Sequence, residues 1–98
     1  MIKTLKYEIM ILLNEEFNEN QLKSWALNFA KGLQLLSASE ISVVSRGKRN
    51  LAYSIKNQKK GNFIQINFLC IPKHINGFIR QLNFDPNVLR FLILNKDL

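Results

Sequence analysis

The stretch from Phe63 to Ile71 most constrains the fold of this chain, because its side chains alternate between two environments. One set is wholly apolar and consists of Ile64, Ile66, Phe68 and Cys70. The other set mixes apolar and polar residues and consists of Phe63, Gln65, Asn67 and Leu69. Successive side chains of a β-strand point to opposite faces of its sheet, so this pattern predicts a strand with one face in a core.

Three further segments have the apolar character of strands, and they run from Leu5 to Leu13, from Ile41 to Ile55 and from Val88 to Leu94. Polar stretches between the apolar segments predict connections at Asn14 to Asn20, Ser37 to Glu40, Asn57 to Asn62 and Phe84 to Asn87. The third connection contains two lysines and a glycine, which predicts a hairpin turn. The last residues, Asn95 to Leu98, are expected to form a tail.

Two segments carry apolar residues at helical spacing. The first is expected to begin at Asn18, because Asn18 and Gln21 have the separation of a capping box. Its apolar stripe, in which Trp25 is expected to anchor the core, consists of Leu22, Trp25, Ala26, Phe29, Leu33 and Leu36. The second begins at Pro72, a residue type that suits a first helical turn, and its stripe consists of Ile75, Phe78, Ile79 and Leu82.

The order strand, helix, hairpin, helix, strand predicts an α+β fold of the ferredoxin-like βαββαβ type. Right-handed crossovers place both helices on one face of a four-stranded antiparallel sheet, with the first and third strands at its centre. The other face of the sheet is expected to stay open. Ninety-eight residues suffice for one modest core, so a single domain over residues 1–98 is predicted.

A basic cluster interrupts the second predicted strand, where Arg46, Lys48 and Arg49 surround Gly47. A glycine inside a long strand predicts a bulge. Two interpretations of the cluster are open: a cationic edge that binds phosphates, or a solvated edge whose charges prevent pairing with other strands. Fourteen Lys and Arg against seven Asp and Glu give a net charge of +7, which favours a polyanionic partner such as nucleic acid or a membrane surface.

Catalytic and metal chemistry find little support in the residue types present. Cys70 is the single cysteine and His74 the single histidine, which leaves few ways to build a nucleophilic pair or a metal site. Cys70 is expected to be a buried small hydrophobe and His74 an exposed or capping residue at a helix start. Glu8 lies within an apolar strand, where pairing with a Lys or Arg across the sheet is expected. No catalytic residue, metal site, cofactor or small-molecule substrate is predicted.

Membrane insertion and targeting are not indicated either. No apolar run approaches the roughly 20 residues that span a bilayer, so no membrane partner is predicted. Met1 leads at once into a strand-like run without the features of a signal or transit peptide. The chain is therefore expected to act in the compartment where it is made.

RNA binding has two versions on this fold. RRM domains stack bases on aromatic side chains of the central strands, and residues 60–68 superficially resemble the RRM third-strand motif. Asn62, Gln65 and Asn67 stand where that motif needs aromatic or aliphatic residues, so the RRM version has little support.

The second version depends on a resemblance along essentially the whole chain. Three segments carry it: Lys6-Tyr7-Glu8, the run from Gly47 to Ile55, and Asn87-Val88-Leu89-Arg90. Together they resemble the bacterial and plastid small-subunit ribosomal protein six family. The resemblance implies a structural protein of the small ribosomal subunit, located on ribosomes of the plastid stroma or, alternatively, of the bacterial cytoplasm. It also implies two partners, the central domain of small-subunit rRNA and ribosomal protein eighteen of the same subunit.

Site residues follow from the resemblance by position. The residues carried over in this way are the candidate contacts Lys6, Lys48, Arg49 and Arg90, with Tyr53 supporting the strand. Arg46 joins the predicted RNA-binding set as a member of the basic cluster. Arg46 stands where members of the family often have Trp, which leaves the contact at the Gly47 bend open. Phosphate contacts by such residues give an affinity that falls steeply with salt.

The open face of the sheet offers a place for the protein partner. Phe63 and Leu69 are candidate contacts there, and the alternative that both are ordinary half-buried strand residues is equally open. A different function is also open, in which the chain is a ferredoxin-like small-molecule-binding or dimerisation module whose open sheet pairs with itself. Size in solution separates the two, because a salt-insensitive dimer without RNA favours the module.

Overall fold

The predicted strands form one antiparallel sheet in the computed structural model of the chain, which describes residues 3–97. The strands are β1 (Leu5–Leu13), β2 (Ser39–Ile55), β3 (Gln58–Cys70) and β4 (Val88–Asn95). Their order across the sheet is β2-β3-β1-β4, so the first and third strands are central and the ferredoxin-like prediction is confirmed. Met1, Ile2 and Leu98, which bear on the predictions about the chain start and the tail, lie outside the described residues.

Two helices connect the strands, α1 (Glu19–Leu35) and α2 (Ile75–Phe84), and a 3₁₀ turn over Pro72–His74 leads into α2. The predicted capping box is present, because the Gln21 N–H donates to Asn18 Oδ1 and the Asn18 N–H donates to Gln21 Oε1, each at 2.8 Å. At the other end of α1, the Ala38 N–H donates to the Leu33 carbonyl at 2.9 Å while Ser37 has a φ of 66°. This is the Schellman arrangement that ends many helices.

The core lies between the helices and one face of the sheet. Phe78 of α2 is fully buried and packs edge-on against Phe68 of β3, with ring centroids 5.9 Å apart. Trp25 packs against the same core, stacks on Phe29 at 5.3 Å and donates from Nε1 to Asp85 Oδ2 at 2.7 Å. The buried sheet residues on this face include Tyr7, Ile9, Ile11, Ile64, Ile66 and Cys70. The predicted alternation of β3 and the core position of Trp25 are therefore confirmed.

Three predicted boundaries were wrong. The hairpin turn is not at Asn57 to Asn62 but at Lys56 and Asn57, whose φ values of 49° and 65° are those of a two-residue type I′ turn. Residues 58–62 belong to β3 instead. β2 begins at Ser39 and not at Ile41, because the Schellman turn reverses the chain by Ala38. β4 extends to Asn95, and the Lys96 N–H pairs with the Lys6 carbonyl at 2.8 Å, so part of the predicted tail is bound to β1.

The register of β2 against β3 is irregular at three places, of which the first lies between Ser39 and Ser42. The register passes from Ser45 opposite Ile64 to Gly47 opposite Phe63, so Arg46 is the extra residue of a bulge. Gly47 has a φ of 86°, which a side chain would disfavour, and the predicted bulge is confirmed. A larger irregularity between Asn50 and Ile55 inserts additional residues into β2 near the hairpin turn.

The hairpin of β2 and β3 extends past the end of β1 and covers part of the open face, which we define as the sheet face opposite the helices. Leu12 of β1 lies on that face, opposite Phe63, and yet is only 1% exposed. Lys56 Nζ donates to the Val88 carbonyl at 3.1 Å, and the Lys60 N–H donates to Glu15 Oε2 at 3.1 Å. The hairpin end is therefore fixed to β4 and to the connection after β1.

The close approach of β3 to the end of β1 requires a glycine at position 61. A Cβ atom built on Gly61 would lie 2.8 Å from Leu12 Cγ and 3.3 Å from the Leu13 carbonyl oxygen. Distances this short force a shift of the buried leucine or of the strand. Gly61 is therefore present for close packing and not for a turn.

We expect Gly61→Ala to lower the free energy of unfolding by about 1–3 kcal/mol, the usual cost of overpacking. Gly77→Ala is the matched control, because the Cβ built there is 3.9 Å from its nearest neighbour, Leu36 Cδ1. An alanine in this helix is expected to raise the free energy of unfolding by about 0.5–1 kcal/mol. Urea denaturation of both variants measures the difference, and equal stability of the two would contradict the packing argument.

Candidate nucleic-acid and protein interface

All six predicted RNA-binding side chains are exposed, but the structure does not bring them into one patch. Arg46 and Arg49 lie together at the β2 bulge, and Tyr53 and Arg90 lie together near the hairpin turn. Lys6 is opposite Leu69, whereas Arg90 is opposite Leu12. Lys6 and Leu12 are six residues apart on β1, which corresponds to about 20 Å along the strand. Lys6 is therefore far from Arg90, the cross-strand neighbour of Leu12.

The bulge turns Arg46 onto the open face. Its Nε and Nη2 atoms donate to Gln65 Oε1 at 3.0 and 2.6 Å. Arg49 also lies on this face, because it pairs with Gly61, and its Nε and Nη2 lie 3.4 and 3.3 Å from the Arg46 carbonyl oxygen. Each of the two guanidinium groups therefore bonds to a neutral oxygen acceptor, which leaves its charge available to an anion.

Lys48 lies on the other face of the same strand. It pairs with Asn62, whose side chain is buried on the helix side and donates to the Asn14 carbonyl at 2.9 Å. β2 is an edge strand, so Lys48 and Arg49 project on either side of the same exposed rim. A polyanion that runs along this rim can contact both residues.

Tyr53 and Arg90 form the second pair. The irregular stretch of β2 brings the Tyr53 hydroxyl to 3.1 Å from Arg90 Nη1, which donates to it. The pair lines a groove of about 360 Å³, together with residues that include Leu12, Leu51, Ile55 and Phe63. The tyrosine thus joins β2 to β4.

The two predicted partner contacts, Phe63 and Leu69, are both half-buried, and they lie six residues apart, Phe63 near the middle of β3 and Leu69 near its end. The sequence interpretation missed a more exposed apolar patch on the open face, which consists of Met10, Leu92 and Leu94. Leu92 pairs with Met10 and is 57% exposed, and Leu94 pairs with Glu8 and is 38% exposed. The available signal was that β4 is apolar on both faces, although only one face contacts the core.

Glu8 has the cross-sheet partner that its position predicted. Its Oε1 lies 3.7 Å from Lys96 Nζ, and it also accepts a hydrogen bond from Gln65 Nε2 at 2.8 Å. The glutamine was not predicted, although a polar residue at the centre of a strand is the signal that would have indicated it. Glu8, Gln65 and Arg46 therefore form one connected chain of polar groups across three strands.

The chemically reactive residues have structural environments. Cys70 is fully buried, and burial raises the pKa of its thiol, which disfavours the nucleophilic thiolate at neutral pH. His74 was expected to be exposed or to cap its own helix start, but it is half-buried and its side chain makes no capping hydrogen bond on α2; its Nδ1 lies 2.9 Å from the Leu36 carbonyl oxygen, at the end of α1. Within residues 3–97, the His, Cys, Asp and Glu side chains form no group of three that could hold a metal ion. Neither helix of this described range is long and apolar enough to cross a membrane.

Comparison with known proteins places the chain in a family. A family model described as ribosomal protein S6 matches residues 6–95. The chain is 68% identical over 96 residues to small ribosomal subunit protein bS6c of Trieres chinensis, which covers 98% of this chain and 100% of that protein. It is 58% identical over 93 residues to bS6c of Phaeodactylum tricornutum, with 95% of each chain covered.

A solved structure agrees with this result at the level of the fold. The crystal structure of 30S ribosomal protein S6 from Thermotoga maritima superposes with a TM-score of 0.88 over 97% of this chain and 90% of that chain. The sequence identity is 21%, so this likeness concerns the fold alone. The match over residues 6–95, together with the two bS6c relatives, shows that the chain belongs to the ribosomal protein S6 family and is a plastid-type protein of the small ribosomal subunit.

Proposed function

We propose that this chain is a structural, non-catalytic component that binds the central domain of small-subunit rRNA together with ribosomal protein eighteen. The observation that carries the proposal is the family match over residues 6–95. We further propose that residues 1–98 act as a single domain in this role. The exposed cations and the open sheet face support the proposal in two separate ways.

The RNA contact is assigned to the rim of β2. Arg46, Lys48 and Arg49 are exposed on an edge strand whose bend is fixed by Gly47. The chain carries a net charge of +7, so its association with RNA phosphates releases counterions. Aromatic side chains for base stacking are scarce on the open face, which favours recognition of RNA shape and backbone over base readout.

The protein contact is assigned to the apolar patch of Met10, Leu92 and Leu94. These side chains lie on β1 and β4, on the side of Gln65 away from the basic rim. An exposed apolar cluster bordered by polar groups is typical of a protein-binding surface. RNA and protein partners can therefore contact the chain at the same time without competing for the same side chains.

We expect the double variant Lys48→Ala, Arg49→Ala to bind a central-domain rRNA fragment, in the presence of ribosomal protein eighteen, roughly tenfold or more weakly. The slope of log Kd against log salt is expected to fall by about two, because two phosphate contacts are lost. Lys23→Ala, Lys31→Ala is the matched control, since it removes the same charge from exposed positions of α1. Equal losses in both double variants would refute the assignment of the rim and leave only a non-specific charge effect.

Leu92→Gln is expected to weaken the affinity for ribosomal protein eighteen roughly fivefold or more, because it places a polar group in an apolar contact. Leu27→Gln on α1 is the control, with 58% exposure against 57% for Leu92. Titration calorimetry of each variant with the partner protein measures the effect. Unchanged affinity in Leu92→Gln, or an equal loss in Leu27→Gln, rules the patch out as the contact.

A further inference from the structure

A chain of hydrogen bonds crosses the open face and connects Arg46 of the basic rim to Gln65 and Glu8, which do not reach the rim themselves. Gln65 lies between Arg46 and Glu8, and its amide oxygen accepts from Arg46 while its amide nitrogen donates to Glu8. Glu8 in turn is 3.7 Å from Lys96 Nζ. The carboxylate therefore determines which way the Gln65 amide faces, because only a nitrogen can donate to it.

We propose that Gln65, oriented by Glu8, is a positioning residue that holds Arg46 ready to bind one phosphate of the RNA backbone. The inference rests on the proposed RNA-binding function and deepens it. Three observations carry it: the contact between Arg46 and Gln65, the orientation of Gln65, and the position of Arg49 beside Arg46.

The contact with Gln65 leaves the outer edge of the Arg46 guanidinium free. Nε and Nη2 each use one N–H bond toward Gln65. The N–H bonds on the Nη1–Nη2 edge form a fork that points away from Gln65. This fork matches the spacing of two phosphate oxygens and allows a bidentate contact. Arg49 lies against the Arg46 carbonyl and adds a second positive charge to the same segment of β2.

The neutrality of Gln65 matters as much as its geometry. A carboxylate in direct contact with Arg46 would compensate the guanidinium charge and reduce its attraction for a phosphate. Here the carboxylate of Glu8 is separated from Arg46 by an uncharged amide, and its own close cation is Lys96. Arg46 is therefore held in place without being neutralised. A side chain that is already immobilised loses less entropy on binding, which increases affinity.

The test is Gln65→Met, which keeps the size and charge of the side chain and removes the hydrogen bonds. RNA affinity, measured with ribosomal protein eighteen present, is expected to fall roughly three- to tenfold because Arg46 becomes mobile. The salt slope is expected to stay unchanged, because no charge is lost, whereas Arg46→Ala lowers it by about one. Gln81→Met, at an exposed position of α2, is the matched control and is expected to leave both quantities unchanged.

A double-mutant cycle separates positioning from a merely structural role. Gln65→Met added to Arg46→Ala is expected to cause no further loss, because the glutamine acts through the arginine. In the free protein, the Arg46 Nε–H signal in an NMR spectrum is expected to be resolved and to broaden or vanish in Gln65→Met. Full additivity in the cycle, or an unchanged Nε–H signal, overturns the inference.

The same experiments separate this inference from the proposed function. Salt-dependent binding by the unmodified chain, with Gln65→Met indistinguishable from Gln81→Met, overturns the positioning role and leaves the RNA-binding function standing. No RNA binding by the unmodified folded chain in the presence of ribosomal protein eighteen overturns both. A selective loss in Gln65→Met that disappears without Arg46 supports both.

Discussion

The close contact between Gly61 and Leu12 is the constraint on which the shape of the open face depends. At this point β3 lies so near the end of β1 that a single Cβ atom would meet the leucine side chain. Leu12 is thereby buried on a face that no helix covers, beneath the end of the hairpin. Hydrogen bonds from Lys56 to Val88 and from Arg90 to Tyr53 then join the hairpin to β4. The hairpin end is thus a fixed part of the sheet and not a loose extension.

A fixed hairpin end gives the open face two regions of different chemistry. The basic rim follows β2, where the bulge at Gly47 turns Arg46 onto the open face and leaves Lys48 and Arg49 on either side of the strand edge. The apolar patch of Met10, Leu92 and Leu94 occupies β1 and β4. Gln65 stands between these regions and bonds to Arg46 on one side and to Glu8 on the other. This separation suits a protein that contacts RNA and a second protein at once.

Much of the fold could be predicted from sequence because its elements depend on local periodicity. The alternation of Phe63 to Ile71 identified a central strand and its two faces, and Asn18 with Gln21 identified the start of α1. The hairpin turn was misplaced because Gly61 resembles a turn residue, whereas its role is a contact with a strand far away in sequence. The actual turn uses Lys56 and Asn57, and lysine is a poor indicator of a positive φ.

The candidate site was only partly predictable for a related reason. Side-chain type identified the exposed cations, but pairing across strands decides which of them meet. Arg46 reaches Gln65 because a bulge shifts the register of β2, and although Gly47 predicts the bulge, it does not predict which residue of β3 the arginine meets. The exposure of Leu92 and Leu94 likewise depends on how much of the open face the hairpin leaves uncovered.

The most direct test of this account is the affinity of the unmodified chain for a central-domain rRNA fragment, with and without ribosomal protein eighteen, across a salt series. The account predicts binding that weakens steeply as salt rises and that is much tighter when the partner protein is present. Salt-insensitive binding, or an affinity that the partner protein leaves unchanged, would contradict the division of the open face into an RNA-binding rim and a protein-binding patch.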